Sequence, residues 1–163
     1  MNNMNKVQKI KLNSIDKEKA TTLKRLSSLS VQLARVSRYV DKSNLTFLRN
    51  FHGKDYSILV NIKRQKPSVQ AGWDFDEEAV LITKEGKVIV GFDSGCSCPS
   101  PFVDNYPECY EKPVDMKTFI ENYDSYGFDD LVPTDEMWCR LYQEMFQAFT
   151  YLQRAKDKQE GIN

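Results

Sequence analysis

No stretch of this 163-residue chain comes near 18 consecutive apolar residues, so no segment reads as a membrane-spanning helix. The first eleven residues lack the apolar centre of a signal peptide, and no secretory signal is expected. Histidine is nearly missing. His52 is the single one, which leaves a catalytic cysteine or serine short of its usual base. Phosphate-cradling glycine loops, the dinucleotide-binding glycine pattern, H-E-x-x-H and EF-hand spacing are all absent. So are internal repeats and low-complexity tracts. These gaps argue against the common nucleotide-dependent and metalloprotease classes, and they place the chain in a reducing cytoplasm as an expectation.

Aromatic residues, at 12%, are plentiful, which argues against disorder. Hydrophobic residues make up 40% and mean hydropathy is −0.57. A chain of this length buries a real core as one domain. Residues 1–13 are rich in Asn and Lys and read as a loose tail, leaving residues 14–163 as a single domain.

Net charge is zero, but it is unevenly laid out. Residues 1–71 carry fifteen basic against four acidic side chains, and residues 72–145 carry five against seventeen. Three readings follow: the halves neutralise each other, a basic arm meets nucleic acid, or an acidic face meets a basic partner. Nucleic acid is not an expected partner, because the cations form no tight cluster or recognition motif.

Leu23, Leu26, Leu29, Leu33, Val36 and Val40 recur every three or four residues. This stripe predicts a helix over residues 16–40, capped by Ser14. Such a helix is about 37 Å long, longer than a small sheet is wide. One end is therefore expected to project, with Leu23 and Leu26 in an interface to a second copy or a partner protein.

Two hairpins follow. The first joins residues 45–48 to 56–62 around His52 and Gly53, with Tyr56, Ile58, Val60 and Ile62 on one face. The second joins residues 79–82 to 88–92 through residues 84–87. Residues 94–113 hold four prolines and three cysteines and read as a long ordered loop. A short helix is expected after Asp115. A last helix is expected from Thr134, with Met137, Leu141, Met145, Phe149 and Leu152 on its apolar side. The fold class is α+β: about four antiparallel strands flanked by a long N-terminal and a C-terminal helix.

The candidate site lies around the second hairpin. Asp74, Asp76, Glu77, Glu78 and Asp93 are positioned to meet across it, and paired carboxylates perform acid–base work or hold hard cations. Ser94, Gly95, Cys96 and Ser97 form a potential anion nest of backbone N–H groups. Trp73, Asp74, Asp76, Asp93, Ser94, Gly95, Cys96, Ser97 and Cys98 are the expected ligand- or partner-binding residues. Cys96, Cys98, Cys109 and Cys139 are the residue types of a thiolate zinc centre, though C-x-C spacing is tighter than the usual knuckle. Disulfides between Cys96 and Cys98 or between Cys98 and Cys109, and buried thiols packing as apolar groups, remain alternatives. No other cofactor is expected.

The string Trp73-Asp74-Phe75-Asp76-Glu77-Glu78, followed after a hairpin by Ser94-Gly95-Cys96-Ser97-Cys98-Pro99, resembles a family of small uncharacterised bacteriophage proteins. The resemblance covers residues 73–123 and implies a phage origin and expression in the host cytoplasm. It implies no chemistry. The expectation is an accessory host-takeover or anti-defence protein. It acts by binding a host protein or by sequestering a small signalling ligand. The alternatives are a small enzyme using the cysteine and acidic residues, and a zinc-binding module.

Overall fold

The computed structural model describes residues 6–41, 43, 45–65, 74–96, 102, 109–122 and 134–161. Helix α1 spans Lys6–Val36 and runs into a 3-10 turn at Ser37–Tyr39. Strands β1 (Thr46–Phe51), β2 (Lys54–Gln65), β3 (Asp74–Thr83) and β4 (Val88–Cys96) come next. Helices α2 (Met116–Glu121) and α3 (Thr134–Gln159) complete the chain. The strands form one curled antiparallel sheet in the order β1-β2-β3-β4, so the architecture is α+β. No described helix is long and apolar enough to cross a membrane.

Helix α1 begins at Lys6, inside the stretch read from sequence as a loose tail, and Ser14 lies within it instead of capping it. Its apolar stripe is core: Leu26, Leu29, Leu33 and Val36 are all buried. Ser30 and Ser37 are buried too, and their hydroxyls donate to the carbonyls of Ser27 (2.8 Å) and Ala34 (2.7 Å). That back-bonding satisfies hydroxyls that burial would otherwise leave without water.

Helix α3 runs alongside α1 in the same direction. Arg25 and Leu26 share a groove with Cys139 and Tyr142, Gln32 shares one with Phe146, and Tyr39 Oη donates to Glu160 Oε1 at 3.1 Å. This pairing corrects the interface expected at Leu23 and Leu26. Leu26 is 1% exposed and Leu23 packs partly buried against the core. Helix α3 covers the part of the stripe that a sheet alone would leave open.

The sheet is buried on both faces. Val60, Ile62, Val80, Ile82, Val88 and Val90 pack under the helices with Phe119, Leu141 and Met145. Ile58, Ala79, Leu81 and Ile89 pack on the other face with Leu48, Phe51, Phe102 and Tyr110. A β-bulge lets β2 serve both cores. Ile58 pairs with Thr83 and Val60 with Ile82, so two steps of β2 match one of β3. The extra residue reverses the facing, because side-chain period in a strand is two. Tyr56 and Ile58 therefore face away from Val60 and Ile62, which corrects the single face expected for all four.

Edge strand β4 is partly covered. Val88 and Val114 exchange backbone hydrogen bonds (2.8 and 2.9 Å), and Glu111 N–H donates to the Val90 carbonyl (2.8 Å). Tyr110 lies flat over Gly91, where a Cβ would sit 2.7 Å from the ring. Gly91→Ala is expected to lower stability by about 1–3 kcal/mol in denaturant unfolding, since the added methyl would displace the Tyr110 ring from its packing on Phe51 and Phe102. Leu26→Ala is expected to cost about 2–5 kcal/mol with solution mass unchanged. A change in mass without loss of stability would return Leu26 to an interface.

Candidate functional site

The β3–β4 register brings the sequence-selected residues together at one end of the sheet. Asp74 pairs with Cys96, Asp76 with Ser94, and Glu77 with Asp93. Glu77 and Asp93 thus stand opposite each other across the hairpin, whereas Asp74, Asp76 and Glu78 stand opposite Cys96, Ser94 and Phe92. Ser94, Gly95 and Cys96 belong to β4, however, which corrects the loop expected from residue 94 onward. An extended strand points successive N–H groups to opposite sides and so cannot converge them into a nest. Trp73, Ser97 and Cys98 lie outside the described residues.

Strand alternation divides the acids between the faces. Glu78 is 1% exposed on the helix side, flanked in register by Arg64 and Phe92. Glu77 and Asp93 face each other on the outer side, where directly opposed like charges cost stability. Asp93 has a structural task that offsets this cost. Its Oδ2 accepts the Phe102 N–H at 2.8 Å, and Phe102 sits in the left-handed region at φ 58°. The bond holds a strained turn so that the Phe102 ring enters the outer core beside Tyr110, with ring centres 5.7 Å apart. Lys63 Nζ stands 5.3 Å from the Phe102 ring centre. Phe92, by contrast, packs on the helix side, away from Phe102.

Cys109 and Cys139, the two cysteines whose side chains are described, do not share one centre. Cys109 packs against the outer core, and Cys139 is exposed on α3 beside α1, so the sheet lies between them. Among the described residues no three His, Cys, Asp or Glu side chains cluster closely enough to hold a metal ion.

Two other concave regions escape the sequence reading. The first lies between α1 and α3. Tyr142 and Phe146 stack there at 6.1 Å with ring planes 13° apart, yet they are 37% and 49% exposed. Leu29 and Phe149 form the floor, and Lys24 and Arg25 stand on the α1 wall of a cavity of about 330 Å³. The Tyr142 and Phe146 spacing of four was the available signal, set one position off the buried Leu141 and Met145 row. The second region joins the β1–β2 turn, the β3–β4 turn and the approach to α2. Two cavities of about 640 and 560 Å³ meet there at Glu85 and Lys87.

The outer core carries a testable titration. Burial, then the charges at Cys109 and Asp93, push the Tyr110 phenol up from its ordinary value of 10 to about 12. Between those values the unfolded chain has lost the proton and the folded chain keeps it. Stability should therefore be unaffected by this group below pH 10 and fall from about pH 10 to 12. Tyr110→Phe should flatten that fall in urea midpoints taken across the window; an unchanged slope would remove Tyr110 as its cause.

No protein-family model, no curated protein and no solved structure matches this chain.

Proposed function

We propose that this chain is a binding protein that docks a host protein in the groove between α1 and α3. The observation that carries the reading is the exposed, stacked Tyr142 and Phe146 pair above an apolar floor. Large aromatics at a surface groove are the anchors that dominate interface energy. Among the described residues Lys24 and Arg25 line the groove and no carboxylate does, so the occupant is an acidic segment carrying an apolar side chain. The resemblance of the W-D-F-D-E and S-G-C-S-C-P strings to phage proteins supports a role in host takeover or defence evasion, carried out in the host cytoplasm. An enzyme on the cysteine and acidic end has less support. Asp93 is engaged by Phe102, and Cys109 and Cys139 lie on opposite sides of the sheet.

The test uses the purified chain and a protein captured from host lysate, then repeats the binding with both components pure. Tyr142→Ser with Phe146→Ser should weaken affinity at least about tenfold, and Lys24→Glu with Arg25→Glu should slow association most at low salt. Melting temperatures should stay within a few degrees, because all four side chains are solvent-facing. Unchanged affinity in both variants would defeat the reading. Self-association lost in both would replace the host partner with a second copy.

A further inference from the structure

Two cavities meet at Glu85 and Lys87, away from the α1–α3 groove. Five cations from separate stretches line them: Arg35 of α1, Lys54 of β2, Lys87, Lys112 and Lys117. Two carboxylates, Glu85 and Asp115, line them as well. Asp115 is paired with Lys87, and Lys117 reaches Glu121 at 3.9 Å. Among the described residues Arg35, Lys54 and Lys112 have no carboxylate partner. Gathering such cations in one concavity raises its potential and favours an anion there.

The walls are built, not merely charged. In the β1–β2 turn Asn50 and His52 hold left-handed backbone at φ 51° and 49°, next to Gly53 at 75°. Two such residues so close together persist only where the surroundings over-determine them. Asn50 N–H donates to Asp55 Oδ1 at 2.6 Å, and the His52 ring meets Phe51 edge-on at 4.3 Å. The opposite wall is as firm. Gly86, at φ 79°, packs so closely on α1 that a Cβ would lie 3.0 Å from the Ser30 carbonyl oxygen. Thr83 Oγ1 accepts the Lys87 N–H at 3.1 Å, fixing the start of β4.

We propose that this joined groove binds a nucleoside polyphosphate. Each cavity has the size of a ligand site, and the free cations are divided between them. A lone phosphate would meet one group, whereas a chain of phosphates spans both. Lysine suits this task, acting as a point charge on phosphate oxygens. His52 borders the same cavity as Lys54 and Lys112 and supplies flat surface for a base, while Lys54 Nζ stands 5.2 Å from the Tyr56 ring centre. The site stands apart from the α1–α3 groove and does not depend on a protein partner there.

Calorimetric titration of the full chain at low salt with ATP, ADP, pyrophosphate and orthophosphate tests it. Affinity should fall in that order and weaken as salt rises. Lys54→Gln with Lys112→Gln should reduce ATP affinity at least about tenfold, while Arg154→Gln with Lys158→Gln near the end of α3 should leave it unchanged. Arg35→Gln should weaken ATP more than ADP, because it removes a cation from the far cavity. Absence of heat at millimolar ATP would overturn the proposal. So would equal losses in the control variant, or tighter competing binding of a single-stranded oligonucleotide, which would assign the groove to nucleic acid. Melting curves confirm that each variant is folded.

Discussion

Strand β3 has no solvent-facing side along its middle, and most of the architecture answers to that constraint. Ala79, Val80, Leu81, Ile82 and Thr83 are all buried, so both faces of the sheet need cover. A run of this kind normally belongs to a sheet sandwiched between helices. Here only one face has helices. The other is closed by a curled β1, by Phe102 and by Tyr110. That outer cover is thin, and each piece needs a specific fastening. Gly91 admits Tyr110, Asp93 fastens Phe102, and the bulge turns Ile58 outward. The acidic strand end that looks like a functional site is, in part, this fastening.

The same constraint orders the helices. The inner face is wide enough to take two helices side by side, and α1 and α3 run parallel along it. Their adjacent stripes cover one another, so α1 buries Leu26 although it extends past the sheet. What stays outside is the groove between the helix crests, where Tyr142 and Phe146 sit one position away from the buried row. Exposed aromatics are informative here because the helix has apolar positions to spare and still leaves these two in water.

Periodicity was a sound guide wherever one local rule decided the outcome. The Leu26, Leu29, Leu33 and Val36 stripe, the two hairpins, the helix after Asp115 and the start of α3 at Thr134 all follow from spacing, turns and caps. Local rules fail where a distant partner decides. In residues 56–62 the one local sign of a bulge is Leu59, which breaks the alternation of Tyr56, Ile58, Val60 and Ile62 where the register shifts; the reversal itself answers to the outer core. Residues 94–96 carry a loop's composition but extend β4, because β3 offers them a full set of partners. Among the site residues, the pairings of Asp76 with Ser94 and Glu77 with Asp93 were legible as hairpin arithmetic. The separation of Cys109 from Cys139 was not, since it depends on which face each element covers.

Charge is the feature whose meaning changed most between sequence and structure. The basic first half and acidic middle suggest two blocks that neutralise each other. Among the described residues the ion pairs Lys87–Asp115 and Lys117–Glu121 lie within the acidic middle, while Arg64 of the basic half stands opposite Glu78 in the β2–β3 register. Lys24, Arg25 and Arg35 of α1 stand at cavity walls, Lys24 and Arg25 beside the aromatic groove and Arg35 beside the lysine groove. Holding cations near one another costs self-repulsion, and long side chains in water otherwise spread apart. Five cations from residues 35, 54, 87, 112 and 117 meet because three rigid features converge there: the α1 crest, the β3–β4 turn against Ser30, and the strained β1–β2 turn. No window of the sequence contains that cluster. A fold that sets Arg35, Lys54 and Lys112 around two carboxylate-paired lysines, and stiffens the backbone on both sides, leaves positive charge that an anion would neutralise.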